Sequence, residues 1–227
     1  MSVMEIISEG LEIHSRGNRS HHREAVASML REVGLDPDTM DRYPHEFSGG
    51  QRQRVVVAGA LVLEPELLVA DEPVSMLDVS IRADILTLLQ ALRKTWDITI
   101  LYTTHDLATA GYFTDRMAVM YLGRVVELGK TVDILKTPRH PYTQALVSVA
   151  PVPNPRKKRK RIILQGEVPN PINLPSGCRF HPRCPKAMPV CSQKQPKMVD
   201  VGDGHRVQCW LFQEDESQVK FTDEVTS

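Results

Sequence analysis

Two short apolar runs, each followed directly by polar or acidic residues, constrain the fold of this chain more than any other feature. Residues 67–70 (LLVA) lead into Asp71 and Glu72, and residues 98–102 (ITILY) lead into residues 103–105 (TTH). An unbroken apolar run of this length is typical of a parallel strand that is buried on both faces. The unbroken run at residues 67–70 therefore predicts a buried parallel strand, and residues 98–102 predict another strand. Both have polar groups at their carboxyl ends, where open α/β sheets bind ligands.

Helical patterns alternate with these strands. Apolar spacing predicts three helices, at residues 25–33, 51–63 and 81–92. The first should end at Gly34, and the third should begin at Asp78 or Ser80 as its N-cap. Residues 117–128 are predicted to form a hairpin that turns at Gly123. The alternation of strands and helices predicts an α/β layer fold.

Charge and composition exclude some functions and divide the chain. Lys plus Arg and Asp plus Glu are both 28, and six of the cations form one run from Arg156 to Arg161. The rest of the chain is therefore mildly acidic, and its aromatic content is 5%, which argues against nucleic acid as a partner. Most prolines and all four cysteines lie beyond residue 137, so a regular body precedes a loop-rich module that starts near residue 150.

The tetrapeptide Ser48-Gly49-Gly50-Gln51 directly precedes a predicted helix. Its two glycines let the backbone approach a ligand, and a helix N-terminus offers free N–H groups and a positive dipole end. Together these features favour a phosphate site. Taken alone the motif is weak, and a plain loop before a helix is the better interpretation.

Three polar side chains follow the predicted strands. Asp71 is suited to hold Mg²⁺, and its neighbour Glu72 is suited to orient or deprotonate water. His105 follows the second strand, where the alternative is a structural histidine. A surface acidic turn is the alternative for the two acids, and the apolar residues directly before them argue against it.

The order and spacing of these motifs resemble the second half of an ATP-binding-cassette (ABC) ATPase. SGGQRQR, LLVADEP, SMLD and TTHD occur in that order. The resemblance implies that residues 48–51 are the signature loop, Asp71 the Walker B acid and Glu72 the catalytic base. It also implies that Asp78 belongs to the D-loop, which has methionine where alanine is usual, and that His105 is the switch histidine.

Further segments narrow the resemblance to ATPase subunits of oligopeptide/dipeptide importers. These are residues 43–47 (YPHEF), residues 140–146 (HPYTQAL) and the cysteine- and proline-rich module. This family implies ATP and Mg²⁺, a second ATPase subunit, two transmembrane permease subunits and, indirectly, a peptide-binding receptor. It also implies a peripheral location at the cytoplasmic face of the cell membrane.

The sequence departs from the family pattern at the phosphate loop. No GxxxxGK[ST] occurs in the 227 residues, and the nearest stretch, residues 123–131, has five residues between its glycines instead of four. We expect the N-terminal Walker A lobe to be missing, so that the isolated chain is inactive and completes at most one composite site with a partner. The alternative function is a non-catalytic remnant that acts as a structural or regulatory partner.

The resemblance and the composition together divide the chain into five parts. They are a partial helical subdomain with the signature helix (1–66), the second half of the ATPase core (67–149), a basic linker (150–161), a cysteine module (162–213) and a disordered tail (214–227). The basic run is interpreted either as a solvated linker or as a contact with anionic lipid headgroups.

The four cysteines, Cys178, Cys184, Cys191 and Cys209, lie close together in sequence. With no sign of secretion in the sequence, the clustering favours metal ligation over disulfides. The absence of a CxxC knuckle favours an iron–sulfur cluster over zinc, and similar peptide-importer subunits carry a 4Fe–4S cluster here. Zinc and free thiols remain the alternatives, and two nearby histidines are expected to be ordinary loop residues: His181 and His205.

Overall fold

The structure is a computed structural model that describes residues 1–150 and 161–213. It divides into two compact units, residues 1–105 and residues from 106 onward. Among the described residues, no helix is long and apolar enough to cross a membrane. The finer domain boundaries drawn above stay a prediction.

The first unit is a helical layer followed by two strands. Its helices are α1 (Val3–Ile13), α2 (Arg19–Glu32), α3 (Gly49–Leu61) and α4 (Val79–Trp96), with 3-10 turns at Pro37–Thr39 and Pro44–Glu46. The three predicted helices of this unit are confirmed, with ends shifted by a few residues. Helix α2 ends where expected, since Gly34 has a φ of 71° that favours glycine at a helix terminus. Apolar side chains of α1, α2 and α3 are fully buried between the helices: Val3, Ile7, Val26, Leu30, Ala58 and Leu61.

Strands β1 (Leu67–Asp71) and β2 (Thr99–Thr103) pair in parallel, as predicted. The prediction that β1 is a buried strand holds for one of its faces and is wrong for the other. Leu68 and Ala70 are buried, whereas Leu67, Val69 and Leu101 are 52%, 59% and 55% exposed. Successive side chains of a strand point to opposite faces, so the described chain covers one face of this sheet and leaves the other uncovered.

The second unit is built on a four-stranded antiparallel sheet. Its strands are β3 (Arg116–Tyr121), β4 (Arg124–Lys130), β5 (Val199–Asp200) and β6 (Arg206–Val207), in the order β3-β4-β6-β5. The predicted hairpin is confirmed, because Leu122 and Gly123 both have positive φ angles and connect β3 to β4 by a two-residue turn.

Four helices and two 3-10 turns complete this unit. They are α5 (Leu107–Phe113), α6 (Thr131–Lys136), α7 (Pro141–Val149), α8 (Pro189–Gln193) and the turns His181–Arg183 and Trp210–Phe212. The core of the unit joins Val119, Tyr121, Val126 and Ile134 to Phe180. Because Phe180 belongs to the cysteine module, that module shares the core of the preceding hairpin.

Candidate nucleotide site and cysteine cluster

Ser48 begins helix α3 as its N-cap. The Ser48 hydroxyl accepts the Gln51 N–H at 3.3 Å, and the Gln51 side-chain carbonyl accepts the Ser48 N–H at 2.9 Å. This reciprocal capping box fixes the direction in which the helix starts. Both side chains are exposed. The start of α3 is therefore a rigid, accessible surface with the positive end of a helix dipole.

Gly49 and Gly50 differ in how much space the structure leaves for a side chain. A Cβ on Gly50 would lie 2.6 Å from Cγ2 of Ile81 on α4, whereas one on Gly49 would meet Leu77 at an ordinary 3.6 Å. Gly50 is thus required by the packing of α3 on α4. The sequence had indicated only that a ligand could approach here.

Thr103 fixes the Asp71 carboxylate at the carboxyl ends of the two strands. The residues are paired in the register of β1 and β2, and the Thr103 hydroxyl donates to Oδ1 of Asp71. The Thr103 carbonyl and hydroxyl both accept the Glu72 N–H at 3.2 Å. Sequence reasoning missed Thr103, although its position at the end of the second predicted strand was the available signal.

Glu72 and His105 are in direct contact. His105 Nδ1 donates to Glu72 Oε1 at 2.9 Å, and the two side chains are 47% and 77% exposed, respectively. Glu72 adopts a φ of 43°, a conformation uncommon for a residue other than glycine, and its carbonyl accepts the Ser75 hydroxyl at 3.0 Å. The structure therefore brings the predicted acid and histidine together beside Asp71, and all three side chains are exposed.

Asp78 lies at the N-cap position of α4, but its carboxylate makes no capping hydrogen bond. The side chain is exposed, as is Met76, which is 98% exposed. The segment between β1 and α4 thus presents an acid and an apolar side chain to the exterior.

The cysteine cluster, defined as Cys178, Cys184, Cys191 and Cys209, contains free thiols. Burial raises the pKa of Cys178 and Cys184 and raises that of Cys209 to about 11. The other three thiols raise the pKa of Cys209 further, so the four sulfurs share one neighbourhood. The Cys178 N–H donates to the Cys191 carbonyl at 2.8 Å, which ties two of the loops together.

The thiols are neighbours without forming the tight ligand set of a single ion. Within residues 1–150 and 161–213, no group of three or more His, Cys, Asp or Glu is placed to hold a metal ion. His181 donates to the Cys178 carbonyl at 2.9 Å. His205 is not the ordinary loop residue that was expected, because it is buried against Glu127.

The basic run falls almost entirely outside the described residues. Of its six members only Arg161 is described, and its side chain is exposed. Both interpretations of the run stay open predictions, as does that of the tail from residue 214.

Comparisons with known proteins match two parts of the chain to family models. Residues 3–75 match the ABC transporter model, and residues 126–191 match the model of the oligopeptide/dipeptide transporter C-terminal region. A metal-chelate type ABC transporter in an inward-facing conformation superposes with a TM-score of 0.57 and 25% identity, over 65% of this chain and 57% of that one. The fold is that of an ABC ATPase.

Curated relatives give the family. YkfD of Bacillus subtilis, named as an oligopeptide transport ATP-binding protein, is 48% identical over 97% of this chain and 68% of its own length. AppF of the same organism, an oligopeptide transport ATP-binding protein, is 46% identical over 93% of this chain and 65% of its own. A relative from Brucella ovis, named as a peptide import ATP-binding protein, is 47% identical over 92% of this chain and 66% of its own length. The chain therefore belongs to the family of peptide transport ATP-binding proteins, and it spans about two thirds of the length of these relatives.

Proposed function

We propose that this chain acts in an ATP-hydrolysing subunit that energises peptide import. The observation that carries the proposal is the Glu72–His105 contact of 2.9 Å beside Asp71, at the carboxyl ends of two parallel strands. The names of the relatives, which are peptide import and oligopeptide transport ATP-binding proteins, support peptide as the transported substrate.

The side chains at the strand ends divide the work of hydrolysis in this proposal. Asp71 would hold Mg²⁺, whose charge helps to neutralise the phosphates of ATP. The carboxylate fits that role because Thr103 fixes one oxygen and the side chain is exposed. Glu72 orients and deprotonates the attacking water, and His105 holds the Glu72 carboxylate in position.

The signature loop acts on a second nucleotide in this proposal. Ser48, Gly49 and Gly50 close over an ATP that is bound by the phosphate loop of a partner ATPase subunit, and Gln51 keeps Ser48 in place through the capping box. Asp78, exposed ahead of α4, faces the partner when the two subunits close. Two permease subunits and a peptide receptor would complete a transporter in which this chain sits peripherally at the cytoplasmic membrane face.

The experiment is ATP hydrolysis and peptide uptake by a reconstituted transporter that contains this chain, a full-length partner ATPase and, supplied in trans, a family N-terminal lobe with its phosphate loop. Glu72→Gln should lower hydrolysis by about 10²- to 10⁴-fold, the usual effect of losing a general base. Glu66→Gln, an exposed acid just before β1, is the matched control. Uptake that requires the chain yet survives Glu72→Gln would contradict the proposal and favour the non-catalytic role.

We also propose that the cysteine cluster holds a 4Fe–4S cluster. The donor set fits, since four free thiols share one neighbourhood and burial raises the pKa of Cys178, Cys184 and Cys209, which disfavours their thiolates unless a metal supplies positive charge. One zinc ion would require all four sulfurs within roughly 4 Å of one another. A cluster of four irons holds its thiolates farther apart than a single ion does, so it would accept a wider spacing of the four sulfurs.

Anaerobic purification tests this second proposal. The protein should be brown and contain iron and acid-labile sulfide, and replacing any one of the four cysteines by Ser should remove the colour. Ser192→Ala, next to Cys191 and exposed, is the control and should stay coloured. Colourless protein with one zinc would overturn the iron assignment, and four thiols that alkylate in the native protein would overturn any metal.

A further inference from the structure

Glu127 is a completely buried carboxylate in the second unit. It lies on β4 with 0% exposure, and both of its oxygens accept hydrogen bonds. The Arg139 N–H donates to Oε1 at 2.7 Å, and the His140 N–H donates to Oε2 at 3.0 Å. These amides come immediately before α7, so the carboxylate anchors the start of that helix.

The third donor to Glu127 comes from the cysteine module. His205 Nε2 donates to Oε1 at 2.7 Å, and the imidazole is buried with the carboxylate. A buried carboxylate is costly unless charged or polar donors surround it. The imidazole of His205 therefore supplies a side-chain donor to this carboxylate, and the module contributes part of what stabilises Glu127 inside the protein.

The backbone and the core reinforce this connection. Glu127 is paired with Val207 of β6, two residues beyond His205. The register of β4 and β6 therefore fixes the position of His205 along the sheet relative to Glu127. Phe180 of the module packs on the rings of Tyr121, His140 and Tyr142, with centroid distances of 5.2, 5.5 and 5.4 Å.

We propose that the Glu127–His205 pair is a latch through which the cysteine module holds the start of α7. The pair acts on the start of the segment at residues 140–146, to which the ATPase chemistry assigns no role. His140 and the residue before it present their N–H groups to Glu127, and Glu127 is kept in place by a histidine 78 residues further along the chain. The conformation of α7 then depends on whether the module is folded.

Hydrogen exchange of the full 227-residue chain tests the latch, read on a peptide that covers residues 139–142. His205→Leu removes the donor, and the exchange of the Arg139 and His140 amides should rise about tenfold or more, as expected when a charged hydrogen bond is lost. Arg206→Gln, an exposed neighbour on β6, is the control and should leave exchange unchanged. Wild-type exchange in His205→Leu, or equal acceleration in Arg206→Gln, would overturn the latch.

A double-mutant cycle covers the case in which His205→Leu does not fold. Glu127→Gln and His205→Gln keep hydrogen-bonding groups of similar reach at both positions. Each single variant should raise the exchange rate of the amides of residues 139 and 140 by some factor. If the two side chains act as a pair, the rate in the double variant should rise by less than the product of these two factors. Effects that simply multiply would show that the residues act independently and would overturn the proposal.

Discussion

The Nδ1 atom of His140 accepts the backbone N–H of Tyr142 at 3.1 Å, so an imidazole serves as the N-cap of α7. Pro141, which has no N–H to satisfy, occupies the first helical position between them. Only a neutral imidazole can accept at Nδ1. The cap therefore requires His140 to stay unprotonated.

Stability should fall on acidification because of His140. Burial lowers the pKa of His140 from 6.5 to about 4, so between these values the unfolded chain binds more protons than the folded one. The contribution is complete above pH 6.5 and is lost as the pH falls towards about 4, by roughly 3 kcal/mol in total. His140→Asn keeps a capping oxygen that does not titrate. Urea unfolding across this range should show a flatter pH dependence for the variant, and parallel curves would contradict the assignment.

Gly50→Ala should destabilise the first unit by about 1–3 kcal/mol, the usual cost of overpacking. The added Cβ would lie 2.6 Å from Cγ2 of Ile81, and a β-branched side chain has little freedom to move away. Gly49→Ala, with an ordinary 3.6 Å contact, is the matched control and should cost less. Urea midpoints measure both variants. Ile81→Ala should rescue Gly50→Ala, and the absence of rescue would locate the strain elsewhere.

Ser48→Arg should abolish the activity of an assembled transporter while leaving the fold intact, because it places bulk and charge where the proposed function has the partner-bound phosphate dock. Loss of the N-cap costs about 1 kcal/mol. Ser48→Ala loses the same cap without adding bulk or charge, so it separates the two effects. Circular dichroism and ATP-driven subunit association provide the readouts. An unfolded Ser48→Arg would show that the loop is only structural.

Thr103→Val should raise the Mg²⁺ concentration needed for half-maximal hydrolysis by about 10- to 100-fold, the usual effect of removing a partner that orients a metal ligand. Valine has the shape of threonine but cannot donate to Asp71. Thr99→Val, an exposed position at the other end of β2, is the matched control. The measurement is the Mg²⁺ concentration that gives half-maximal hydrolysis in the reconstituted transporter. An unchanged concentration would indicate that Asp71 does not depend on Thr103.

The 227-residue chain alone should show no measurable ATP hydrolysis, because its sequence contains no GxxxxGK[ST] loop to cradle the phosphates. Steady-state phosphate release by the pure chain is the measurement. Hydrolysis that disappears in Glu72→Gln would contradict this expectation.

Local signals carried most of the predictions that the structure confirms. The end of α2 at Gly34 and the turn at Gly123 could be predicted because each depends on the φ angle of one or two residues. The strands β1 and β2 were found because their apolar runs end in polar residues. Local signals could not show that one face of these strands is uncovered, since exposure depends on what the rest of the chain packs against.

Long-range pairs explain what the sequence did not reveal. Glu127 and His205 are 78 residues apart, and neither belongs to a motif that marks its partner. The sequence indicated that Gly50 lets a ligand approach, yet the structure requires glycine there because Ile81, 31 residues away, leaves no space for a Cβ. Register alone brings Thr103 to Asp71. These contacts are properties of the packed structure, and a single sequence does not encode them in any local pattern.

The uncovered face of the β1–β2 sheet gives the chain an exposed apolar surface. Leu67, Val69 and Leu101 are more than half exposed on this face, and each strand is paired on one side only within the described residues. Apolar strands with open edges promote self-association and aggregation. The fraction of the chain that self-associates should therefore rise with its concentration, and chaperones that bind exposed apolar strands would compete with any partner that buries this face.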